Sequence, residues 1–217
     1  MKLIVISSSE KVTNEINIVN QLFDEKMEYF HLRKPGISIE DLRYFLDSIK
    51  PEFLSKITLH QHHSLAKDYG INRLHFPEKS REDAGIKDLM KLKSKGFMLS
   101  TSVHNISSFS ILSSIFEYAF LSPVFDSISK EGYKGIFTEN FKLKNTDSSI
   151  QIIALGGIKI QNYRTLSNIG FHGIAVLGAL WNLPQNAVNE FKALKADIDK
   201  IYRPLTPAAD LYINSGS

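Results

Sequence analysis

The stretch Gln151-Ile152-Ile153-Ala154-Leu155-Gly156-Gly157-Ile158 constrains the fold most tightly. An apolar run rich in β-branched residues stops at a Gly-Gly pair, and a helical pattern follows at once. A parallel strand buried on both faces reads this way when it opens onto a turn. Gly156 and Gly157 lack a Cβ, so the backbone can take φ > 0 there and a ligand can approach the main chain closely. About twenty residues later the pattern returns as Gly173-Ile174-Ala175-Val176-Leu177-Gly178-Ala179-Leu180. Two successive glycine-ended strands near the end of the chain suggest the last two strands of a (β/α)8 barrel, a fold that often binds phosphate at that place.

The rest of the chain agrees in period. Strand-like segments are expected at Lys2–Ile6, Tyr29–Arg33, Lys56–His60, Arg73–Phe76, Phe97–Ser102 and Tyr118–Ser122. Helical spacing is read at 12–23, 38–49, 64–69, 88–95, 107–116, 161–169 and 185–201. Ser38-Ile39-Glu40-Asp41 has the form of an N-cap with an acidic first turn. Strand–helix alternation implies a parallel sheet with helical crossovers, here an α/β (β/α)8 TIM barrel over residues 1–203. Residues 204–217 read as a short polar C-terminal tail.

Composition closes off several functions. At 217 residues the chain is short for a barrel but long enough for one full core. A net charge of +3 gives no argument for nucleic acid or an anionic membrane as partner. With no cysteine there are no disulfides, thiolate metal sites or thiol nucleophile. The opening Lys2–Ile6 is too short for a signal core or a membrane span, and nothing contradicts a cytoplasmic location.

Barrel active sites lie at the C-terminal ends of the strands. The polar residues expected there are His31, Arg33 and Lys34 after strand two, and His60, Gln61, His62 and His63 after strand three. His75 and Glu78 follow strand four, and His104 and Asn105 strand five. Ser122, Ser127, Ser129 and Lys130 follow strand six, the last three on a long loop from Pro123 to Ile136. The histidines therefore gather at one rim. His62, His63 and His172 read as solvated or satisfied loop residues.

Four segments, in order, carry a family resemblance: Tyr29-Phe30-His31-Leu32-Arg33; Thr101-Ser102-Val103-His104; Leu121-Ser122-Pro123-Val124-Phe125 with Ser127-Ile128-Ser129-Lys130; and Ile153–Ile158. Together they resemble the thiamine phosphate synthase superfamily, including its TenI-type thiazole tautomerase branch, over about residues 1 to 200. The resemblance implies a barrel that binds a small-molecule thiazole phosphate, the phosphate held by Gly156, Gly157, Leu177 and Gly178. It places His31, Arg33, His60, Ser127, Ser129 and Lys130 around the remainder of the substrate.

Departures from the pattern choose between the branches. The synthases ionise a diphosphate with Mg²⁺ held by carboxylates, from an Asn-Asp pair after strand three and an Asp after the strand-four histidine. This chain has His60-Gln61-His62-His63 and His75-Phe76-Pro77-Glu78 instead, and proline at position 35 where a second basic residue is expected. Lys34 or Glu78 would have to compensate. The tautomerase branch moves a proton within a dihydrothiazole to make it aromatic, which needs one histidine and no metal. His104, in the Ser-x-His position, is the expected catalytic residue. The expected reading is therefore a tautomerase without cofactor, with Mg²⁺ required only under the synthase alternative. A non-catalytic thiazole phosphate-binding or regulatory protein is the third reading. A zinc hydrolase built on His60 and His62 with His31 or His75 is the fourth. A homo-oligomer is possible, through no particular helix face.

Overall fold

The computed structural model describes residues 1–125, 143 and 149–202. Eight parallel strands close a barrel in sequence order: β1 (Lys2–Ile6), β2 (Phe30–Leu32), β3 (Ile57–Leu59), β4 (Arg73–Phe76), β5 (Met98–Val103), β6 (Phe116–Leu121), β7 (Gln151–Leu155) and β8 (Gly173–Val176). Closure is made by β8 pairing with β1, from Lys2 opposite Gly173 to Val5 opposite Val176. Gly173 is required there: a Cβ would lie 2.8 Å from both Ile153 Cδ1 and the Lys2 carbonyl oxygen.

Helices cover the outside: α1 (Glu15–Asp24), α2 (Ile39–Asp47), α3 (Glu78–Ser94), α4 (Ile106–Ser110), α5 (Arg164–Ser167), α6 (Gly178–Trp181) and α7 (Ala187–Tyr202). Ser38 caps α2 as its sequence suggests, its Oγ accepting from the Asp41 N–H at 3.0 Å. On α7, Ala187, Phe191, Leu194 and Ile198 recur at helical spacing and are all buried. Among the described residues, no helix is long and apolar enough to cross a membrane.

Several boundaries differ from the periodicity, each for a local reason. Phe116 begins β6 instead of ending a helix. A bulge sets Leu99 opposite Phe116 and Ser100 opposite Tyr118, leaving Glu117 out of the pairing and exposed. The segment after β3 is only a 3-10 turn, His63–Ala66. The helix expected at 88–95 starts at Glu78 and is kinked at Gly85, whose φ of 69° is not helical. The apolar run from Gly173 to Leu180 divides at Leu177, its second half forming α6 instead of more strand. The polar tail lies outside the described residues.

The pleat turns alternate residues into the barrel. Ile4, Ile6, Phe120, Ile153 and Ala175 fill one side with a small apolar cluster, joined by the Tyr118 ring. On β2 to β5 the inward residues are polar, with His31, Thr58, His60, His75 and Ser100 all buried. The barrel interior thus has an apolar half and an imidazole- and hydroxyl-lined half.

Candidate active site

The polar half is organised by three imidazoles on adjacent strands. His31 on β2 sets its Nδ1 2.9 Å from His60 Nε2 and its Nε2 2.6 Å from the Tyr118 hydroxyl. His75 on β4 is held between two serines of β5, its Nδ1 2.9 Å from Ser100 Oγ and its Nε2 2.9 Å from Ser102 Oγ. The His60 and His75 rings stack at 4.1 Å between centroids, and His31 meets both edge-on. Five of the six ring nitrogens have a partner; His60 Nδ1, buried, has none. Burial disfavours the charged form of each ring. It pushes His31 down to about 3, with Arg73 adding to the effect. His60 and His75 are driven well below the usual imidazole range, by burial first, then by the charge of His75 and His31 on His60 and of His31 and His63 on His75, with Arg33 adding to both. All three are neutral at pH 7.

His104 sits apart from this cluster, exposed just beyond the end of β5. Its Nδ1–H donates to the Ser122 carbonyl at 3.0 Å, an acceptor that can take only a proton-bearing nitrogen. The lone pair is therefore on Nε2, which lies 4.0 Å from a carboxylate oxygen of Glu78 at the start of α3. Glu78 is steadied by Arg81 at 3.4 Å. Arg81 also donates to Thr101 Oγ1 at 2.7 Å and to the Ser102 carbonyl at 2.9 Å, tying α3 to β5. Arg33 is exposed, its backbone fixed by Ser7, whose Oγ accepts from Arg33 N–H at 2.8 Å and donates to its carbonyl at 2.9 Å. Lys34 does not supplement it. Its ammonium is spent on the buried Glu15 carboxylate and on the Glu10 carbonyl, and burial raises the Glu15 pKa against the opposing pull of Lys34.

Across the mouth, the ends of β7 and β8 shape a cup. Gly156, Gly157, Leu177 and Gly178 line one cleft of about 1310 Å³ that continues outward between α1 and α6. Gly156 has φ 97°, and a Cβ there would lie 2.9 Å from Pro123 Cα, so its small size also lets the strand-six loop cross. The first residues after β6 are held by Val124 N–H to Leu155 O at 2.9 Å and Phe125 N–H to Gly156 O at 3.1 Å. Trp181 anchors α6 from below, donating its indole N–H to the Ile6 carbonyl at 2.6 Å.

The fold thus brings Gly156, Gly157, Leu177 and Gly178 together and sets His31 beside His60. It leaves His104 and Arg33 exposed at the rim. Ser127, Ser129 and Lys130 lie outside the described residues. His62, His63 and His172 are satisfied by local backbone, through Ile37 O at 2.8 Å, Leu59 O at 3.1 Å and Ile152 N–H at 3.2 Å. Tyr118, Arg81 and Trp181 were not singled out from the sequence. Only Tyr118 had a signal: it alternates inward with Phe120, and a buried phenol needs a hydrogen-bond partner.

Mg²⁺, which the synthase pattern implies, does not suit the donors that cluster among the described residues. Among the described residues the one cluster of three or more potential ligand side chains is His31, His60 and His75, with nitrogen donors and no carboxylate. Mg²⁺ takes oxygen ligands.

Comparison with known proteins agrees with this architecture. The curated thiamine-phosphate synthase of Prochlorococcus marinus (strain AS9601) is 30% identical over 103 residues, covering 47% of this chain and 29% of that protein. The aligned part thus spans under a third of the relative's length. A thiamine phosphate pyrophosphorylase from Bacteroides thetaiotaomicron superposes with a TM-score of 0.74 at 26% identity, over 92% of this chain and 99% of its own. One from Pyrococcus furiosus shares the fold, with a TM-score of 0.72 at 14% identity, over 93% of this chain and 96% of its own. The family model described as thiamine monophosphate synthase matches residues 3–180, and the chain belongs to that family.

Proposed function

We propose that this barrel binds a thiazole phosphate of thiamine biosynthesis and catalyses the proton shift that makes the ring aromatic, acting as a thiazole tautomerase. One observation carries the reading: the end of strand three presents His60, His62 and His63 where a synthase would hold Mg²⁺, and the first carboxylate after strand four, Glu78, faces Arg81 and His104, whose Nδ1 is taken by Ser122 O. The phosphate sits in the cup of Gly156, Gly157, Leu177 and Gly178, met by backbone N–H groups. Arg33 takes the substrate carboxylate through its guanidinium fork. Ser127, Ser129 and Lys130 are assigned to the same anionic groups, and His31 and His60 to the floor beneath the ring.

His104 Nε2 removes the proton from the ring carbon of the dihydrothiazole. The resulting imidazolium is stabilised by the Glu78 carboxylate. The same proton is returned to the far end of the conjugated system, leaving an aromatic ring and a neutral histidine. No proton is gained or lost overall, and no step calls on Mg²⁺.

The second reading is a synthase joining a pyrimidine diphosphate to the thiazole phosphate, favoured by the descriptions of the relatives. Both activities are measured on one preparation. The proposal expects aromatisation of the thiazole carboxylate phosphate tautomer above the buffer rate, with no thiamine phosphate formed in Mg²⁺. Condensation in Mg²⁺ without accelerated aromatisation would replace it with the synthase. Tight thiazole phosphate binding with neither reaction would leave a binding protein.

A further inference from the structure

Three neutral imidazoles meeting inside a barrel are an unusual filling for a core, and the hydrogen bonds above do not complete it. We propose that His31, His60 and His75 form a three-nitrogen site for a transition-metal ion of the zinc class, with a fourth position open to a small anion. The site goes beyond the proton-shift reading and does not rest on it, because His104 is not one of its members.

Geometry supplies the first argument. One nitrogen from each ring lies within 4.8 Å of the other two, so a point exists no more than about 2.8 Å from all three. Zinc–imidazole bonds are about 2.0–2.1 Å, so side-chain adjustments under about 1 Å close the site without moving a strand. His31 Nδ1 and His60 Nε2 already share one N–H···N hydrogen bond at 2.9 Å, which a shared ion would replace once the proton-bearing ring switches tautomer.

The chemistry of the donors supplies the second. All three rings are buried, and imidazole nitrogen is a donor that zinc-class ions accept. A ligating histidine is normally oriented through its other nitrogen. His31 has Tyr118 for this at 2.6 Å, and His75 has a serine on either side. His60 is the incomplete member: its buried Nδ1 has no partner, so the cluster is not a closed hydrogen-bond network.

Charge decides which ion and which fourth ligand. With no carboxylate in the cluster, Mg²⁺ and Ca²⁺ lack the charged oxygen ligands they prefer, whereas imidazole suits zinc and its neighbours. The positive potential of Arg33, Arg73 and Arg81 also reaches these rings. A dication is therefore held only with an anion in the fourth position. Hydroxide, a carboxylate or a phosphate oxygen meets that need.

The test uses Co²⁺ as a spectroscopic stand-in for zinc, added to the EDTA-treated and desalted full-length protein. The proposal expects one equivalent bound with the visible absorption of a tetrahedral nitrogen site, displaced by Zn²⁺ and untouched by excess Mg²⁺. Paramagnetically shifted imidazole N–H resonances should report three histidine ligands in the wild type, a readout that needs no variant to fold. His75→Gln should weaken binding by at least on the order of 100-fold. The His62→Gln/His63→Gln double variant, which spares the cluster, should bind as the wild type does. Absence of the tetrahedral absorption, fewer than three shifted imidazoles, or binding that disappears with the His62/His63 pair would each overturn the site.

Discussion

A single carbonyl decides how His104 can act. The Ser122 oxygen accepts the Nδ1 proton, so Nε2 is the nitrogen that the proposed proton shift would use, and a Glu78 carboxylate oxygen lies 4.0 Å from it. Sequence placed the histidine after β5 but not this tautomer, because its partner is backbone from another strand end. Gly156 shows the same limit. The sequence reads it as room for a ligand, yet Pro123 also occupies the space a side chain would need. Gly156→Ala therefore combines a disfavoured φ with a backbone clash and should cost about 1–3 kcal/mol of stability. It should also weaken phosphate binding, since the cup and the strand-six loop meet at that residue. Denaturant unfolding and phosphate titration check both, and a variant as stable as wild type would refute the packing argument.

At the scale of elements, β1, β7 and β8 were legible as continuous apolar runs, the last two marking their stops with glycine, and β2 to β5 as segments alternating apolar with polar residues. Short elements were not. α6 has four residues and no period to read; Trp181 fixes it through a bond to Ile6, far away in sequence. Trp181→Phe keeps an aromatic ring, though a smaller one, and leaves the Ile6 carbonyl without that donor. It should cost about 1–2 kcal/mol and loosen the Leu177–Gly178 side of the cup. Under the proposed function, the loss should appear as a raised KM for the thiazole phosphate with kcat little changed. A fall in kcat alone would place α6 in the chemistry instead.

For the whole molecule, the mixed interior makes stability depend on pH. A histidine whose folded pKa is depressed binds its proton more readily when unfolded, so acid favours unfolding between its folded and unfolded values. For His31 that window runs from about 3 to 6.5, and His60 and His75 shift in the same direction. In EDTA, lowering the pH from 7 to 5.5 should remove about 1 kcal/mol of stability through His31, with His60 and His75 acting in the same direction, read from urea midpoints. An unchanged midpoint would mean the barrel accepts protons while folded. The sequence put histidines at strand ends, but it could not show that three of them share one buried space. That depends on barrel closure and on register, which bring β2, β3 and β4 side by side.

The account turns on proton transfer by His104. The measurement that tests it most directly follows aromatisation of the thiazole carboxylate phosphate tautomer in EDTA, for wild type and His104→Asn, with the rate in buffer subtracted. The account predicts acceleration by the wild type and loss of about 10²–10⁴ of it in the variant, the usual worth of a general acid–base group. A wild type no faster than buffer, or a variant as fast as wild type, would contradict it.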